Sequence, residues 1–422
     1  MEVPWFDERG VPKGEGGRAK ALLQRTVVVD LDCEYTRKAV LDAFRRDSWR
    51  SEVGVSWRVA DLSAGGGEER EIGRGVSKPD LYWGEYERID WESVGFGEVV
   101  ANCYCIRKGL IRKAQLALAT AKWKSKHPDS VLARSVPETH VFELYDIEYF
   151  DEVLIADVPE LREMKPEDVW ILKPNITNQG LGVRVFNDLG TLRDILSSEE
   201  AWNLREWVVQ RYVRHPLVVD SRKFHVRVYV LCVGALEVYV YEDMLALFAP
   251  EAYDLGDLGN LGAHLTNTCA AGRLGGVDLE QKEEESRIVK MVEEVGSEAE
   301  VGEAKAKIRE VVAECLAAVS AEVTSFMPMP NCFELFGFDF LIDREWGVWL
   351  LEANAEPDFV QTGHRLRNAL IGKMMGDAAE IVTAAALPLP APRGRRGRRG
   401  KWSKVFEKKV AGTGGGVGFQ VT

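Results

Sequence analysis

The chain has 422 residues, of which 46% are hydrophobic and 29% charged; 67 Asp and Glu against 54 Lys and Arg give a net charge of −13 at pH 7. That length predicts two or three globular domains, and the composition argues against global disorder and against a coiled coil. An acidic body also argues against nucleic acid as the main ligand.

Residues 1–25 are rich in glycine and charge and are expected to be disordered. They carry Asp7 and Glu8 where a secretory signal would be basic and then apolar. No apolar run approaches the roughly 20 residues of a membrane helix. The seven cysteines are scattered and odd in number, which speaks against a disulfide framework. The expected setting is the cytoplasm, with the nucleus as the alternative and no membrane partner.

RTVVVDLD (25–32) reads as a buried β-branched strand, EYTRKAVLDAFRRDS (34–48) as a helix, and GVSWRVAD (54–61) as a second strand. SAGGGEEREIGRG (63–75) reads as loop, and CIRKGLIRKAQLALATAKWKSK (105–126) as a loop entering a basic helix. This opening is a small α/β unit ending near Pro137. VWILKP (169–174) is the next strand, followed by the glycine-bearing turn and return strand NITNQGLGVRVF, the helix DLGTLRDILSSEEAWN and the strand WVVQRYV (207–213). SRKFHVRVYVLCV (221–233) alternates as a long strand and pairs with ALEVYVYEDM (235–244) across Gly234.

AHLTNTC (263–269) is a polar loop, and residues 279–323 are expected to be helix with a mobile acidic interruption around Gly296 and Gly302. LFGFDFLID (335–343) and GVWLLEANAE (347–356) form a tight hairpin, and GKMMGDAAEIVTAAALPL is a closing helix. Residues 393–409 carry a local charge of +8, which leaves −21 for the rest of the chain. That end is expected to be disordered, either binding RNA, directing nuclear import or simply solubilising. The mixture reads as α+β or multidomain α/β. No GxGxxG follows an early strand, so a dinucleotide fold is not expected.

Side chains alternate along a strand, so Glu352 and Asn354 share a face and the hairpin register sets Asp339 opposite Glu352. Like charges directly opposite are unfavourable in an antiparallel pair, the more so between Phe338, Phe340, Leu350 and Leu351. A divalent cation would reverse the sign, and carboxylates with an amide oxygen suit Mg²⁺. The plain alternative is a pair of solvated carboxylates. Lys173 ends an apolar strand before Gly180 and Gly182; it can reach a phosphate, or it can snorkel at a strand end. Lys223, His225 and Arg227 share one strand face, which demands anions or water. The run His264-Leu265-Thr266-Asn267 can position phosphate or be a capped turn. Lys113, with Arg107, Lys108 and Arg112, can serve a ligand or be an ordinary basic helix face.

IRKAQL (111–116), WILKP with QGLGV, VVQRYVRHPLVV, RKFHVR, HLTN, FELFGFDF and VWLLEANAEPDF run in an order that resembles the tubulin-tyrosine ligase family of the ATP-grasp superfamily, in particular its fungal members. The resemblance covers about residues 26–386. It implies an N-terminal α/β domain (26–135), an ATP-grasp central domain (136–222) and an ATP-grasp C-terminal domain carrying the magnesium site (223–386), flanked by disordered segments 1–25 and 387–422. It implies ATP and Mg²⁺ as cofactors and a carboxylate–amine ligation through an acyl phosphate. Lys113, Lys173 and Lys223 resemble phosphate-binding lysines. Gln210, Arg211 and Val213 fall on the segment bordering adenine, and Thr266 and Asn267 match nucleotide-site residues. Arg227 resembles the arginine near the transferred phosphate and the acceptor. Asp339, Glu352 and Asn354 look like the magnesium ligands.

The implied partners are a free amino acid and a tubulin C-terminal tail or another acidic protein. For some fungal members, RNA or mRNA-decay proteins are implied as well, which leaves a nucleotide-binding scaffold as the alternative function. Three departures from the family pattern stand out. His225 replaces an aspartate, Leu247 an arginine on the acceptor side, and EANAEP the commoner EVNGAP.

Overall fold

The structure is a computed structural model and describes residues 23–47, 49, 55–62, 78–165, 167–177, 180–201, 203–267, 272, 282–359, 362–387 and 400–408. It mixes helices with three sheets, as the alternation of patterns predicts. The first sheet is parallel and contains β1 (Leu23–Asp30), β2 (Val55–Asp61), β3 (Leu81–Gly84) and β4 (Val100–Ala101), in the order β2-β1-β3-β4. Helix α1 (Glu34–Phe44) is the crossover that a parallel pair requires. Residues 1–22 and 63–75, expected to be unstructured, lie outside the described residues. Helix α2 (Lys113–Lys126) then leads to the second sheet. That sheet is antiparallel, with β5 (Thr139–Glu143), β6 (Trp170–Pro174), β7 (Arg184–Phe186) and β8 (Glu206–Arg211) in the order β5-β8-β6-β7, and α3 (Leu189–Leu196) packs on it.

The third sheet has eight strands: β9 (Val218–Val219), β10 (Arg222–Val233), β11 (Glu237–Tyr241), β12 (Leu245–Phe248), β13 (Val289–Met291), β14 (Phe333–Ile342), β15 (Val348–Ala355) and β16 (Trp402–Glu407). Strand β10 is its axis and pairs with β9, β11, β12 and β14. Its even residues Phe224, Val226, Val228 and Val230 pack against helix α4 (Glu298–Ser320). Its odd residues Tyr229, Leu231 and Val233 pack in a second core with α1 and helix α5 (His364–Ala386). The strand is therefore buried on both faces, and the polar residues Lys223, His225 and Arg227 do not face open solvent.

Two expectations fail. Residues 279–323 are not one interrupted helix: Val289–Met291 is a strand paired with β12, and Gly302 lies inside α4. The helix passes through Gly302 because nothing crowds that position and because Ser297 and Glu300 cap each other reciprocally at its start. The C-terminal segment is not wholly disordered either. Strand β16 extends the sheet beside β11 and buries Trp402, Val405 and Phe406. Its lysines are tied down: Lys401 to Asp243 at 2.6 Å, Lys404 to Glu237 at 3.1 Å, and Lys408 to the Ser320 carbonyl at 2.7 Å. The basic composition hid Trp402, Val405 and Phe406, whose spacing does not alternate because the β11–β16 pair carries a register shift. The remaining parts of this segment, 388–399 and 409–422, lie outside the described residues.

Candidate active site

The β14–β15 hairpin turns on Asp343, whose carboxylate accepts hydrogen bonds from the Glu345 and Gly347 amides and from the Trp349 indole. That turn pairs Phe340 with Leu350, which alone would set Asp339 against Leu351; Asp339 lies opposite Glu352, as expected, only through a β-bulge. Leu351 is thus the extra residue, and it lines the cleft beside Glu352. Bulges re-aim side chains in this way next to functional sites.

The acidic pair is compensated by protein groups. Strand β10 runs beside β14 with Arg227 opposite Asp339. The guanidinium binds the carboxylate bidentately, Nε to Oδ1 at 2.5 Å and Nη2 to Oδ2 at 3.1 Å. On the other side, Lys113 Nζ lies 3.6 Å from Glu352 Oε2. The Asn354 amide nitrogen donates to both carboxylates at 3.3 Å. Like-charge repulsion alone therefore does not require a metal here, which corrects the argument from the isolated hairpin. Burial pushes the Glu352 carboxyl up, but Lys113 and Lys173, with Asn354 and Arg227, outweigh it and hold the group down to about 2.

The donor set nevertheless suits a hard cation. Two carboxylates and one amide offer oxygen ligands only, and among the described residues no three His, Cys, Asp or Glu side chains form a complete metal cage. Such a site leaves positions for water and phosphate oxygens, which Mg²⁺ favours. Turning the Asn354 amide over would present its oxygen in place of its nitrogen.

Three lysines converge from three different elements. Lys113 is the first residue of α2; its Nζ donates to the Thr177 carbonyl at 2.8 Å. Asn175 accepts the Ala114 amide at 2.8 Å, satisfying one of the free N–H groups that open a helix and fixing where Lys113 emerges. Lys173, at the end of β6, donates to Gln210 Oε1 at 2.8 Å, and Gln210 donates onward to Thr139 Oγ1 at 2.9 Å. Burial pushes Lys173 down to about 8; Glu352 opposes that fall and Lys113 adds to it. Lys223 is pushed down to about 7 by burial and by the charge of Lys173.

Lys223 Nζ donates to the Tyr212 hydroxyl at 2.9 Å and to the His264 carbonyl at 3.1 Å. His264 Nε2 lies 3.0 Å from the Asp257 carbonyl, which can only accept, so Nδ1 must be the acceptor and Tyr212 donates to it at 2.9 Å. His225 Nδ1 lies 2.7 Å from Thr266 Oγ1. Gly180 has a left-handed φ of +70°, and a Cβ there would stand 2.9 Å from the Asn267 amide nitrogen, so only glycine lets the turn after β6 approach the HLTN segment so closely.

Lys113, Lys173, Lys223, Thr266, Asn267, Asp339 and Glu352 thus line one open cleft of about 660 Å³, with His225, His264 and Leu351. Gln210 sits behind Lys173, and Arg227 and Asn354 hold Asp339. Arg211 and Val213 do not line the cleft. The Arg211 side chain points away, to Glu138 at 3.0 Å and Asp168 at 2.6 Å, and its amide donates to the Glu138 carbonyl. Leu247 lies directly across from His225 on β12 and is buried. Sequence reading missed Tyr212, Thr139, Asn175 and Leu351. Tyr212 was within reach, since it shares parity with Gln210; Thr139 and Asn175 act through partners distant in the chain, and Leu351 enters through the bulge.

A family model described as "Tubulin-tyrosine ligase family" matches residues 106–388. The chain is 32% identical over 404 residues to "Probable tubulin--tyrosine ligase PBY1" of Saccharomyces cerevisiae, a match covering 84% of this chain and 51% of that one; it thus spans about half of that relative's length. It is 34% identical over 343 residues to "Probable tubulin--tyrosine ligase C12B10.04" of Schizosaccharomyces pombe, covering 72% of this chain and 83% of that one. Among solved structures it matches the C-terminal domain of K. lactis Pby1, described as an ATP-grasp enzyme interacting with the mRNA decapping enzyme Dcp2. The identity is 29% and the TM-score 0.66, with 91% of this chain and 99% of that chain covered.

Proposed function

The chain belongs to the tubulin-tyrosine ligase family and has the ATP-grasp fold, and from that premise we propose that it is an ATP- and Mg²⁺-dependent carboxylate–amine ligase that adds an amino acid to a protein carboxylate. The observation that carries this reading is the convergence of Lys113, Lys173 and Lys223 on a cleft that Asp339 and Glu352 also line. Lys113 has Glu352 beside it, but Lys173 and Lys223 hydrogen-bond neutral groups only; buried cations so placed are costly, and a polyphosphate supplies the missing charge.

In this reading the three lysines hold the triphosphate, and Thr266 and Asn267 contact it from the loop beside them. Gln210 keeps Lys173 in place, while the backbone of Gln210, Arg211 and Val213 borders the base. Asp339, Glu352 and Asn354 would hold Mg²⁺, which supplies further charge neutralisation when bound. Arg227, paired with Asp339, adds positive charge near the acceptor carboxylate. The carboxylate oxygen attacks the γ-phosphorus, ADP leaves, and an acyl phosphate forms; the amine then attacks its carbonyl carbon, phosphate leaves, and an amide results. The protein's contribution is placement and charge stabilisation, so no protein nucleophile is needed. The acceptor is an acidic protein segment such as a tubulin C-terminal tail, and the amine is a free amino acid. We assign the protein to the cytoplasm, with the basic residues of 393–409 as an RNA-binding or nuclear-import segment, or a solubilising one.

A second reading is a nucleotide-binding scaffold with little catalysis in mRNA decay. It is favoured by His225 and Leu247, two departures from the family pattern that meet across β10 and β12, and by the Dcp2 contact stated for the K. lactis relative. The test is ADP release by the purified chain with Mg²⁺, acidic peptides and each amino acid in turn, beside E352Q. Ligation predicts amino-acid-dependent ADP release by the wild type, and in E352Q a Mg–ATP affinity weaker by on the order of tenfold or more. ATP binding without such release selects the scaffold. No ATP binding at all refutes both.

A further inference from the structure

Arg222 opens β10, and strand alternation turns its side chain to the face opposite Lys223 and the nucleotide cleft. It is 8% exposed, and its Nη1 is buried without a hydrogen-bond partner. Among the described residues no carboxylate forms an ion pair with it. The guanidinium instead lies over the Phe248 ring, 5.3 Å from the centroid, and Lys290 Nζ lies 5.3 Å from the same centroid. Burial and then the like charge of Arg287 work against the charged guanidinium, and only Asp220 favours it. Asp220 is itself engaged, its carboxylate 3.1 Å from Lys290 Nζ. Arg287 is exposed and forms no ion pair among the described residues.

Three cations thus stand against one carboxylate, and the most buried of them has no partner. An aromatic face offsets only part of that deficit. A buried guanidinium without an acceptor calls for an oxyanion. Its recessed position sets the shape of that ligand. A phosphodiester carries its charge in mid-chain between two sugars and suits exposed cations, whereas a guanidinium this deep is met by an oxyanion at the end of a stem. We propose that Arg222, with Arg287 and Lys290 at its rim, binds a terminal oxyanion at a site separate from the nucleotide cleft, the ligand being a side-chain carboxylate of an acidic protein segment or a phosphate monoester. The planar guanidinium pairs bidentately with either group. The site does not depend on the ligase reading, since it lies on the other face of the strand.

The test is calorimetric titration of the full chain with a capped hexaglutamate peptide and, separately, with inorganic phosphate. At least one of the two should bind with an affinity that falls on the order of tenfold or more in R222M, by less in R287Q and K290Q, and not in K223M. Binding of the peptide identifies the carboxylate as the ligand, and binding of phosphate alone identifies the monoester. No binding of either probe overturns the proposal, as does binding that R222M leaves unchanged or that K223M abolishes, since the last belongs to the cleft. Stability gives a second readout. Without ligand, R222M removes a charge that no carboxylate pairs with, so the thermal midpoint should hold or rise. An arginine with a purely structural role would be missed, and a midpoint lower by several degrees in R222M overturns the proposal as well.

Discussion

Nucleotide binding at pH 8 should take up protons from solvent. Burial holds Lys223 down to about 7 and Lys173 down to about 8 in the ligand-free protein. At pH 8, Lys223 is then only about one-tenth protonated and Lys173 about half. A triphosphate laid against both restores their charge, so binding draws in about 0.9 of a proton at Lys223 and about 0.5 at Lys173. The phosphates themselves contribute little, because a terminal phosphate titrates at roughly 6. Calorimetric titration of a non-hydrolysable ATP analogue in two buffers of different ionisation enthalpy reads this number directly. It should exceed one proton at pH 8, shrink toward zero by pH 6, and lose its larger part in K223M. The same shifts fix the sign of stability against pH. Both folded-state values lie below 10.5, so the unfolded chain holds more protons between about 7 and 10.5. The contribution of these lysines to ligand-free stability therefore rises with pH across that window and is least favourable below it. No net uptake at pH 8, with the analogue bound, would refute the buried-lysine account of the cleft.

Two further predictions concern the scaffold. Arg227 and Asp339 are a buried bidentate pair, so R227A should cost about 3–5 kcal/mol by leaving a carboxylate uncompensated, whereas R227M/D339L should recover part of the loss; urea unfolding measures both, and a loss below about 1 kcal/mol in R227A would mean that Lys113 and Asn354 suffice. W402A should cost about 3–5 kcal/mol, because Trp402 is 3% exposed and packs against Tyr241 with ring centroids 4.9 Å apart and the rings tilted by 59°. An unchanged unfolding midpoint would show that β16 is dispensable.

The sequence alone determined what is local. Strand alternation placed Lys223, His225 and Arg227 on one face, which follows from a period of two; the pairing of Asp339 with Glu352 was expected from the hairpin, but it is a bulge at Leu351 that brings it about. The order of short polar motifs along the chain likewise carried the family, because each motif is read within a few residues. Helix 298–320, by contrast, was obscured by glycines whose effect depends on what packs beside them, and β16 by lysines whose acidic partners lie some 160 residues earlier. Only the tertiary structure decided what compensates the acidic pair. Arg227 reaches Asp339 across 112 residues of chain because β10 and β14 are neighbours in the sheet, and Lys113 reaches Glu352 because Asn175 caps the helix that carries it. Charge compensation depends on distance in space, and sequence spacing fixes that distance only within a single element.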